Sequence, residues 1–293
     1  MNQNNLKIVV FDFDETLGYF VQLSVFLDCI NKYLKTELKV PELTQDQFND
    51  LLDLYPEFLR PNIIAILNYL KYKKESKCCN KLMIYTNNQG PKKWANLIIS
   101  YFEAKLKHKL FDQVISAFKI NGKQIEICRT SHEKSHKDFI RCTKLPNTAE
   151  ICFLDDNYYP QMSHKNVYYI NIKPYIHDLP FQELLNRFNK SNILSSELVD
   201  RSEFNKKMLE QFKDYNFEIT EKNAEEYNID KILSKKIMIH LQDFFKMSLS
   251  NNLSNKTYKK TNKNYKINKS NKSNNFNKSN KSKTKKNQRD IEI

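Results

Sequence analysis

The sequence predicts an α/β fold with a doubly wound parallel sheet at its centre. Apolar, β-prone segments alternate along the chain with segments whose apolar residues recur at helical spacing. The β-prone segments are almost unbroken apolar runs, which is typical of strands covered on both faces of a parallel sheet. Only three glycines and eight prolines interrupt the 293 residues. In a sheet of this kind, ligands bind beyond the carboxyl ends of the strands.

The predicted elements are clearest in the first 172 residues. In chain order they are a strand at 6–13, helical segments at 21–34, 44–54 and 61–72, a strand at 81–85, a helix at 91–107, a strand at 111–117, a hairpin at 120–127, a helix at 135–143, and strands at 150–154 and 167–172. Pro61 suits the first turn of its helix, because a proline there removes no helical hydrogen bond. Asn121 and Gly122 form the turn signal of the hairpin.

Beyond residue 172 the alternation fades and only helical patterns remain. They cover 181–188, 197–217 and 228–245, and they predict a helical extension packed on the sheet domain. The predicted organisation is a sheet domain at 1–180 with a helical insertion at 19–60, a helical extension at 181–248 and a tail at 249–293. The apolar stripe from Ile229 to Phe245 is interpreted as core rather than as a partner-binding face.

The tail carries most of the positive charge. The whole chain has a net charge of +14, whereas residues 251–293 hold 13 Lys and Arg against two acids, which leaves +3 for residues 1–250. Its Asn, Lys and Ser low complexity offers too few apolar residues to offset the entropy of ordering, so disorder is predicted. Such a tail can bind RNA, DNA or another polyanion through phosphate contacts. The alternative is a solvated extension that reflects a biased coding composition.

The composition argues against a membrane protein, a secreted protein and a zinc protein. No uncharged apolar run approaches the roughly 18 residues of a membrane span, and the polar start does not resemble a leader. The six cysteines show neither C-x-x-C spacing nor a paired His cluster, so we expect free thiols in a reducing compartment. The expectation is an intracellular protein, cytoplasmic or nuclear, with no membrane partner.

Pairs of carboxylates follow two of the predicted strands. Asp12 and Asp14 end the first strand, and alternation along an extended chain points both side chains the same way. Two carboxylates this close repel each other and raise each other's pKa unless a cation intervenes. A hard divalent ion with oxygen ligands is the natural cation. Asp155 and Asp156 end a later strand as a second acidic pair.

Polar and basic residues complete the same edge of the predicted sheet. Thr86 and Asn87 end the second strand and offer a hydroxyl and an amide that can hold an oxyanion. A Lys-rich helix start between the strands contains Lys134 and Lys137, and the phase of the helix decides which of them faces the site. Arg129 lies near this edge and is interpreted as a surface residue rather than as a phosphate ligand.

The order Asp-x-Asp-x-Thr, strand-Thr, Lys and strand-Asp-Asp resembles the four motifs of the haloacid dehalogenase superfamily of phosphotransferases. FDFDETL and LYPEFLRPNIIAILNYL are also similar to segments of its small CTD phosphatase branch, the NLI-interacting-factor type. The triplet at 137–139 is similar to the Lys-Asp-Leu of that branch's third motif. Asn62 stands where the branch usually has Gly, and Asn87 and Asp156 where it often has Ala and Asn. The resemblance covers residues 6–175.

The resemblance implies a role for each of these residues. Asp12 would be the nucleophile that forms an aspartyl-phosphate, and Asp14 the general acid and then the general base. Thr86 and Asn87 would hold phosphoryl oxygens. Lys137 would neutralise charge on the nucleophile and on the transferring group.

The resemblance also implies a cofactor and a substrate. Mg²⁺ would be held by Asp12, Asp155 and the backbone carbonyl of Asp14, with Asp156 acting on it directly or through water. The implied activity is hydrolysis of a phosphomonoester, with phosphoserine or phosphothreonine of a protein favoured because no large cap closes the site. Two alternatives are open: hydrolysis of a nucleic-acid terminal phosphate with help from the basic tail, and a catalytically silent scaffold that binds nucleic acid.

Overall fold

The chain folds as a parallel sheet with helices on both faces. The structure is a computed structural model, and it describes residues 6–195, 199–215, 218–220, 222–247 and 290–292. The strands are β1 (Lys7–Phe11), β2 (Lys81–Tyr85), β3 (Gln113–Ile115), β4 (Lys119–Ile120), β5 (Lys123–Gln124), β6 (Glu150–Asp155), β7 (Val167–Asn171) and β8 (Asp290–Glu292). The α-helices are α1 (Val21–Thr36), α2 (Gln45–Asp53), α3 (Ile63–Glu75), α4 (Lys92–Leu106), α5 (His136–Thr143), α6 (Phe181–Lys190), α7 (Arg201–Asp214) and α8 (Ala224–Lys246).

The strand order determines where a ligand can bind. β1 lies between β2 and β6, and every neighbouring pair in the order β3-β2-β1-β6-β7 is parallel. The chain runs outward from β1 through β2 to β3 and then returns to the other side of β1 at β6. This reversal opens a crevice at the carboxyl ends of β1 and β6. The predicted parallel α/β fold is confirmed.

The register of the sheet brings the ends of its central strands together. Phe11, the last residue of β1, is paired with Ile84 of β2 and with Leu154 of β6. The residues that come next, among them Asp12 and Asp155, therefore reach one edge of the sheet side by side.

Alternation along β1 divides the core into two layers. Val9 and Phe11 face the larger layer, which is packed by α1 to α4 and by the helical extension. Ile8 and Val10 face the smaller layer, together with Phe139 of α5. The four β1 side chains are at most 1% exposed. Because both faces of the strand are buried, its sequence is an unbroken apolar run.

The helical insertion and the helical extension share the larger layer. Tyr33 of α1 meets Phe204 of α7 edge to face, with ring centroids 5.1 Å apart, a geometry that adds to the free energy gained from burial. The predicted apolar stripe of α8 is core only in its second half. Ile229 and Ile232 are 40% and 54% exposed, whereas Ile237 is 2% exposed.

The predicted tail and the predicted lack of a membrane span concern the whole chain, and the structure describes part of it. The tail predicted at 249–293 lies outside them, except for β8, whose backbone pairs in parallel with β7. Among the described residues, no helix is long and apolar enough to cross a membrane.

Cys128 and Cys142 form a disulfide bond, 14 residues apart in sequence. The bond joins the segment after the β4–β5 hairpin to α5. The expectation of free thiols is therefore wrong for this pair, whereas Cys29, Cys78, Cys79 and Cys152 are free. Spacing alone gave no signal, because the partners come from different elements.

Candidate active site

All the predicted site residues except Lys137 meet in or beside a cavity at the carboxyl edge of the sheet. The cavity has a volume of about 190 Å³. Its lining residues are Asp12, Asp14, Glu15, Thr86, Asn87, Asn88, Asp156, Asn157 and Tyr159. Four of these nine are carboxylates, and the fully buried Asp155 adjoins them at the end of β6.

A buried lysine joins two of the strand-end carboxylates. The Nζ of Lys134 is 2.7 Å from Oδ1 of Asp12 and 2.6 Å from Oδ2 of Asp155, and the lysine side chain is 0% exposed. Burial alone would lower the pKa of Lys134, but the charges of Asp12 and Asp155 outweigh it and raise that pKa above its usual value. Lys134 therefore stays a cation, and its charge acts on Asp12 from inside the protein.

This lysine is Lys134 and not Lys137, so the role predicted for Lys137 is corrected. α5 begins at His136, and its N-cap is Ser135, whose hydroxyl accepts the N–H of Asp138 at 3.1 Å. Lys134 precedes this cap and reaches the sheet edge, whereas the side chain of Lys137 lies in the first turn and is exposed. The residue at which the helix starts decides which lysine reaches the site, and the sequence alone does not determine that residue.

Asp14 has the surroundings of a proton-transfer residue. Its Oδ2 accepts a hydrogen bond from Nδ2 of Asn88 at 2.7 Å. Burial raises the pKa of Asp14 to about 6, with the charge of Asp12 adding to the effect and the Asn88 hydrogen bond opposing it. A carboxyl group with such a pKa can give up and take back a proton near neutral pH.

The carboxylate cluster suits a divalent cation. Carboxylate oxygens of Asp12, Asp155 and Asp156 all lie within 4.8 Å of one another. Burial raises the pKa of both Asp155 and Asp156, and the charge of Asp12 adds to the effect in each case. The cluster brings three carboxyl groups together, and Lys134 is the one cation paired with any of them among the described residues. Hard oxygen donors in excess of the local positive charge are what Mg²⁺ requires, so the donor set fits the metal that the resemblance implies.

Neighbouring polar groups fix both carboxylates at the end of β6. The hydroxyl of Thr16 donates to Oδ1 of Asp156 at 3.1 Å. The backbone N–H of Asn157 donates to Oδ1 of Asp155 and its side-chain amide to Oδ2 of Asp156, both at 2.9 Å. The two side chains are thus held in place before any ligand arrives.

Thr86 and Asn87 differ in what they can offer a substrate. Oγ1 of Thr86 accepts the N–H of Asn88 at 2.9 Å, which leaves the hydroxyl proton to donate to an oxygen in the cavity. The amide of Asn87 is already engaged, because Oδ1 accepts from Arg129 at 2.7 Å and Nδ2 donates to the hydroxyl of Tyr159 at 3.0 Å. Thr86 is the stronger candidate for holding a phosphoryl oxygen, and the role of Asn87 stays a prediction.

Arg129, interpreted from sequence as a surface residue, is a buried clamp on the turn after β2. It is 1% exposed, and its Nη1 donates to the carbonyls of Thr86 and Ser116, both at 2.9 Å. Its guanidinium lies 4.8 Å from the ring centre of Tyr85. Three of its four acceptors are backbone carbonyls, so no residue pattern in the sequence marks this arginine.

The backbone conformation of Asn62 explains why asparagine can stand where the family that the sequence resembles usually has glycine. It precedes α3 with a φ of +61°, in the left-handed region that glycine adopts without strain. Asparagine enters this region more readily than other residues with a side chain. The residue in place of the usual glycine is therefore one of the few that fit the same backbone.

A long groove leads away from this cavity of the candidate active site. A second cavity, of about 590 Å³ and with mostly apolar walls, is built by α1 and the start of α4 and shares Asp14 and Asn88 with the first. A third, of about 510 Å³, shares Lys93 and Leu97 with the second. The second and third cavities together form the long groove, which runs from Asp14 across the helical insertion.

Comparisons with known proteins found no match for this chain. No protein-family model, no curated protein and no solved structure matches it. The interpretation of the site therefore depends on its geometry and on the resemblance of its motifs.

Proposed function

We propose that this protein is a Mg²⁺-dependent phosphatase of the haloacid dehalogenase type, which hydrolyses a phosphomonoester through an aspartyl-phosphate on Asp12. The observation that carries the proposal is the position of Asp12. Its carboxylate lines an open cavity beside Asp14 and is paired with Lys134 at 2.7 Å. A nucleophile, a fixed positive charge and an acid–base group are what this reaction needs from a protein.

In the first step, an oxygen of Asp12 attacks the phosphorus of the substrate. A P–O bond forms to Asp12 while the P–O bond to the leaving alcohol breaks, and protonated Asp14 gives its proton to the leaving oxygen. The hydroxyl of Thr86 donates to a phosphoryl oxygen. Lys134 offsets the charge on Asp12 and on the transferring group, and it does so without moving, because it is already in place.

In the second step, water releases Asp12. Asp14, now a carboxylate, takes a proton from the water molecule, whose oxygen attacks phosphorus as the bond to Asp12 breaks. The products are inorganic phosphate and the regenerated enzyme. Since burial raises the pKa of Asp14 to about 6, one residue can act as the acid and then as the base near neutral pH.

The proposed cofactor is Mg²⁺. Asp12, Asp155, Asp156 and the backbone carbonyl of Asp14 would hold it, and it would supply charge neutralisation and orientation of the phosphoryl group. The protein prepares for it by fixing the two β6 carboxylates through Thr16 and Asn157.

The long groove supports a phosphorylated protein segment as the substrate. Asp14 lies where the groove meets the catalytic cavity, so a leaving group that takes its proton from Asp14 extends into the groove. The groove is far larger than one serine or threonine side chain needs. Its apolar wall, with Trp94 and Leu97, suits the side chains that flank a phosphoserine or phosphothreonine.

Turnover of an aryl phosphate tests the proposed reaction. Purified wild type and Asp12→Asn are compared, each with Mg²⁺ and with EDTA. We expect hydrolysis only by wild type with Mg²⁺, because the variant lacks the nucleophile. Hydrolysis that persists in EDTA or in Asp12→Asn contradicts the mechanism, and folded wild type without turnover contradicts the activity.

A second comparison tests the substrate class. Phosphoserine and phosphothreonine peptides are compared with oligonucleotides that carry a terminal phosphate, and we expect the peptides to give the higher kcat/KM. The basic residues of 251–293 favour the nucleic-acid alternative. That alternative predicts faster hydrolysis of the oligonucleotides and a steep fall as salt rises.

A further inference from the structure

We propose that Arg60 is a positioning residue for the candidate active site and that the negative charge of Asp230, on the helical extension, stabilises this buried arginine. The inference rests on the proposed function. It gives α8 a part in the site that neither the strand-end motifs nor the cavities indicate.

Arg60 holds the loop that follows Asp14. Its Nε donates to the carbonyl of Thr16 at 2.7 Å, and its Nη2 donates to those of Glu15 at 2.5 Å and Lys173 at 2.8 Å. The arginine is 1% exposed. Because the guanidinium is planar and its donors are rigid, these bonds fix the direction of the loop as well as its distance.

The loop needs such a restraint because of the conformation of Glu15. Its φ of +56° lies in the left-handed region, which is unfavourable for a residue with a side chain. Its carbonyl accepts from Arg60 and also from the N–H of Tyr175 at 2.9 Å, and its own N–H donates to the carbonyl of Gly18 at 2.8 Å. A change in the φ angle of Glu15 would rotate the peptide group between Asp14 and Glu15, which carries the carbonyl oxygen of Asp14.

Asp230 supplies negative charge to the buried arginine. Asp230 is 1% exposed and forms an ion pair with Lys222. Burial lowers the pKa of Arg60 to about 10, and the charge of Asp230 is the strongest influence that opposes this shift. The ring of Tyr175 contacts both cations, with its centre 5.6 Å from the Arg60 guanidinium and 4.5 Å from Nζ of Lys222.

Hydrogen bonds compensate the charges of Arg60 and Asp230 only in part. Among the described residues, neither Nη1 of Arg60 nor Oδ1 of Asp230 has a hydrogen-bond partner. A buried charged group with an unsatisfied atom is unfavourable, and opposite charges reduce that cost for each other. The extension thus stabilises the arginine, and the arginine stabilises the loop that carries the proposed acid–base residue.

Asp230→Asn tests the inference, because it keeps the shape of the side chain and removes its charge. We expect about a tenfold fall in kcat on an aryl phosphate, with KM within about twofold, because a displaced loop affects the reacting groups more than substrate binding. The Mg²⁺ concentration that gives half of the maximal rise in Tm should increase by a similar factor. The matched control is Asp243→Asn on the same helix, where Asp243 pairs with Lys246 at 3.8 Å near the surface; it should behave as wild type.

Arg60→Lys is the second variant, and it decides the question if circular dichroism shows Asp230→Asn to be unfolded. A lysine keeps the buried charge but cannot donate to the Glu15 and Thr16 carbonyls along fixed directions. The same losses in kcat and in Mg²⁺ response are therefore expected. A wild-type kcat and Mg²⁺ response in either folded variant overturns the inference.

The two readouts separate this inference from the proposed function. If Mg²⁺ stabilises the wild type and no phosphoester is hydrolysed, the phosphatase proposal fails, and the Mg²⁺ response of the variants still tests Arg60. If the wild type shows neither effect, both proposals fail, because there is then no metal site for Arg60 to position.

Discussion

At the scale of single residues, the candidate site depends on a cation that is not free to move. Lys134 is fully buried and held by Asp12 and Asp155, with N–O distances of 2.7 and 2.6 Å. A charge fixed in this way acts through a medium of low polarity, where electrostatic interactions are stronger than in water. Because the charge is already in place, the protein does not have to reorganise during the reaction. A surface lysine would lose both advantages.

Replacement of Lys134 by Met should lower kcat on an aryl phosphate by about 10²–10³-fold, by analogy with the removal of one oxyanion-hole donor. Steady-state kinetics at saturating Mg²⁺ measure the loss, and Tm in EDTA shows whether the variant is folded. Lys137→Met is the matched control from the same segment and should retain wild-type kcat, since the Lys137 side chain is exposed. Equal effects of the two substitutions would contradict the assignment of Lys134.

Residues at strand ends could be predicted from sequence, and those that act through backbone contacts could not. Asp12, Thr86 and Asp155 follow recognisable apolar runs, and a parallel sheet brings the ends of such runs together. Arg60 and Arg129 bind carbonyl oxygens that only the folded chain brings near. Carbonyls are common to all residues, so they leave no pattern in the sequence.

At the scale of elements, α1 and α4 determine what can approach Asp14. They form the walls of the long groove, and Leu97 of α4 lies where the second and third cavities meet. A substrate with one phosphorylated side chain and an apolar flank would contact this part of the groove, whereas an aryl phosphate would not reach it.

Leu97→Ala should raise KM for a phosphopeptide with apolar flanking residues by on the order of tenfold, because an apolar contact of this size contributes 1–3 kcal/mol. The KM for an aryl phosphate should not change. Ile239→Ala, an aliphatic truncation at a 54% exposed position of α8, serves as the control. A parallel rise in both KM values would show that Leu97 supports the fold and does not contact the peptide.

The disulfide links α5 to the segment that carries Arg129. For a closed loop with a sequence separation of 14 residues, the chain-entropy model gives about 3 kcal/mol of stabilisation. Reduction should therefore lower the free energy of unfolding by about 3 kcal/mol, as measured by denaturant titration with and without a thiol reductant.

Two variants control for other effects of the reductant. Cys78→Ser removes an exposed free cysteine and should leave the effect of reduction intact. A double variant, Cys128→Ser with Cys142→Ser, should be insensitive to the reductant and as unstable as the reduced wild type. A reductant effect that survives in the double variant would contradict this assignment.

At the scale of the whole molecule, the helical insertion and the helical extension contribute to one core. The insertion helices α1 and α2 and the extension helices α6 to α8 pack in the same layer against the sheet. Helical periodicity could predict that these segments are helices, because it reports one buried face. It could not predict that the extension also packs on the insertion, since many apolar surfaces would satisfy the same pattern.

Mg²⁺ should stabilise the whole protein, because a ligand that binds only the folded state adds about 2.7 kcal/mol at one hundred times its Kd. For a chain of this size, that corresponds to a rise in Tm of several degrees. Thermal unfolding with increasing Mg²⁺ measures the effect. Asp156→Asn removes one of the proposed ligands and should abolish most of the rise. An undiminished rise in this variant would place the binding site elsewhere.

The parallel order of the sheet also determines when the site can exist. β1 pairs with β6, which lies more than a hundred residues further along the chain, and contacts so distant in sequence form slowly because a long loop must close first. While the ribosome is still synthesising the segment before residue 155, Asp12 has no Asp155 beside it. We therefore expect chains that end before residue 155 to be inactive, and the site to form only after β6 has paired with β1.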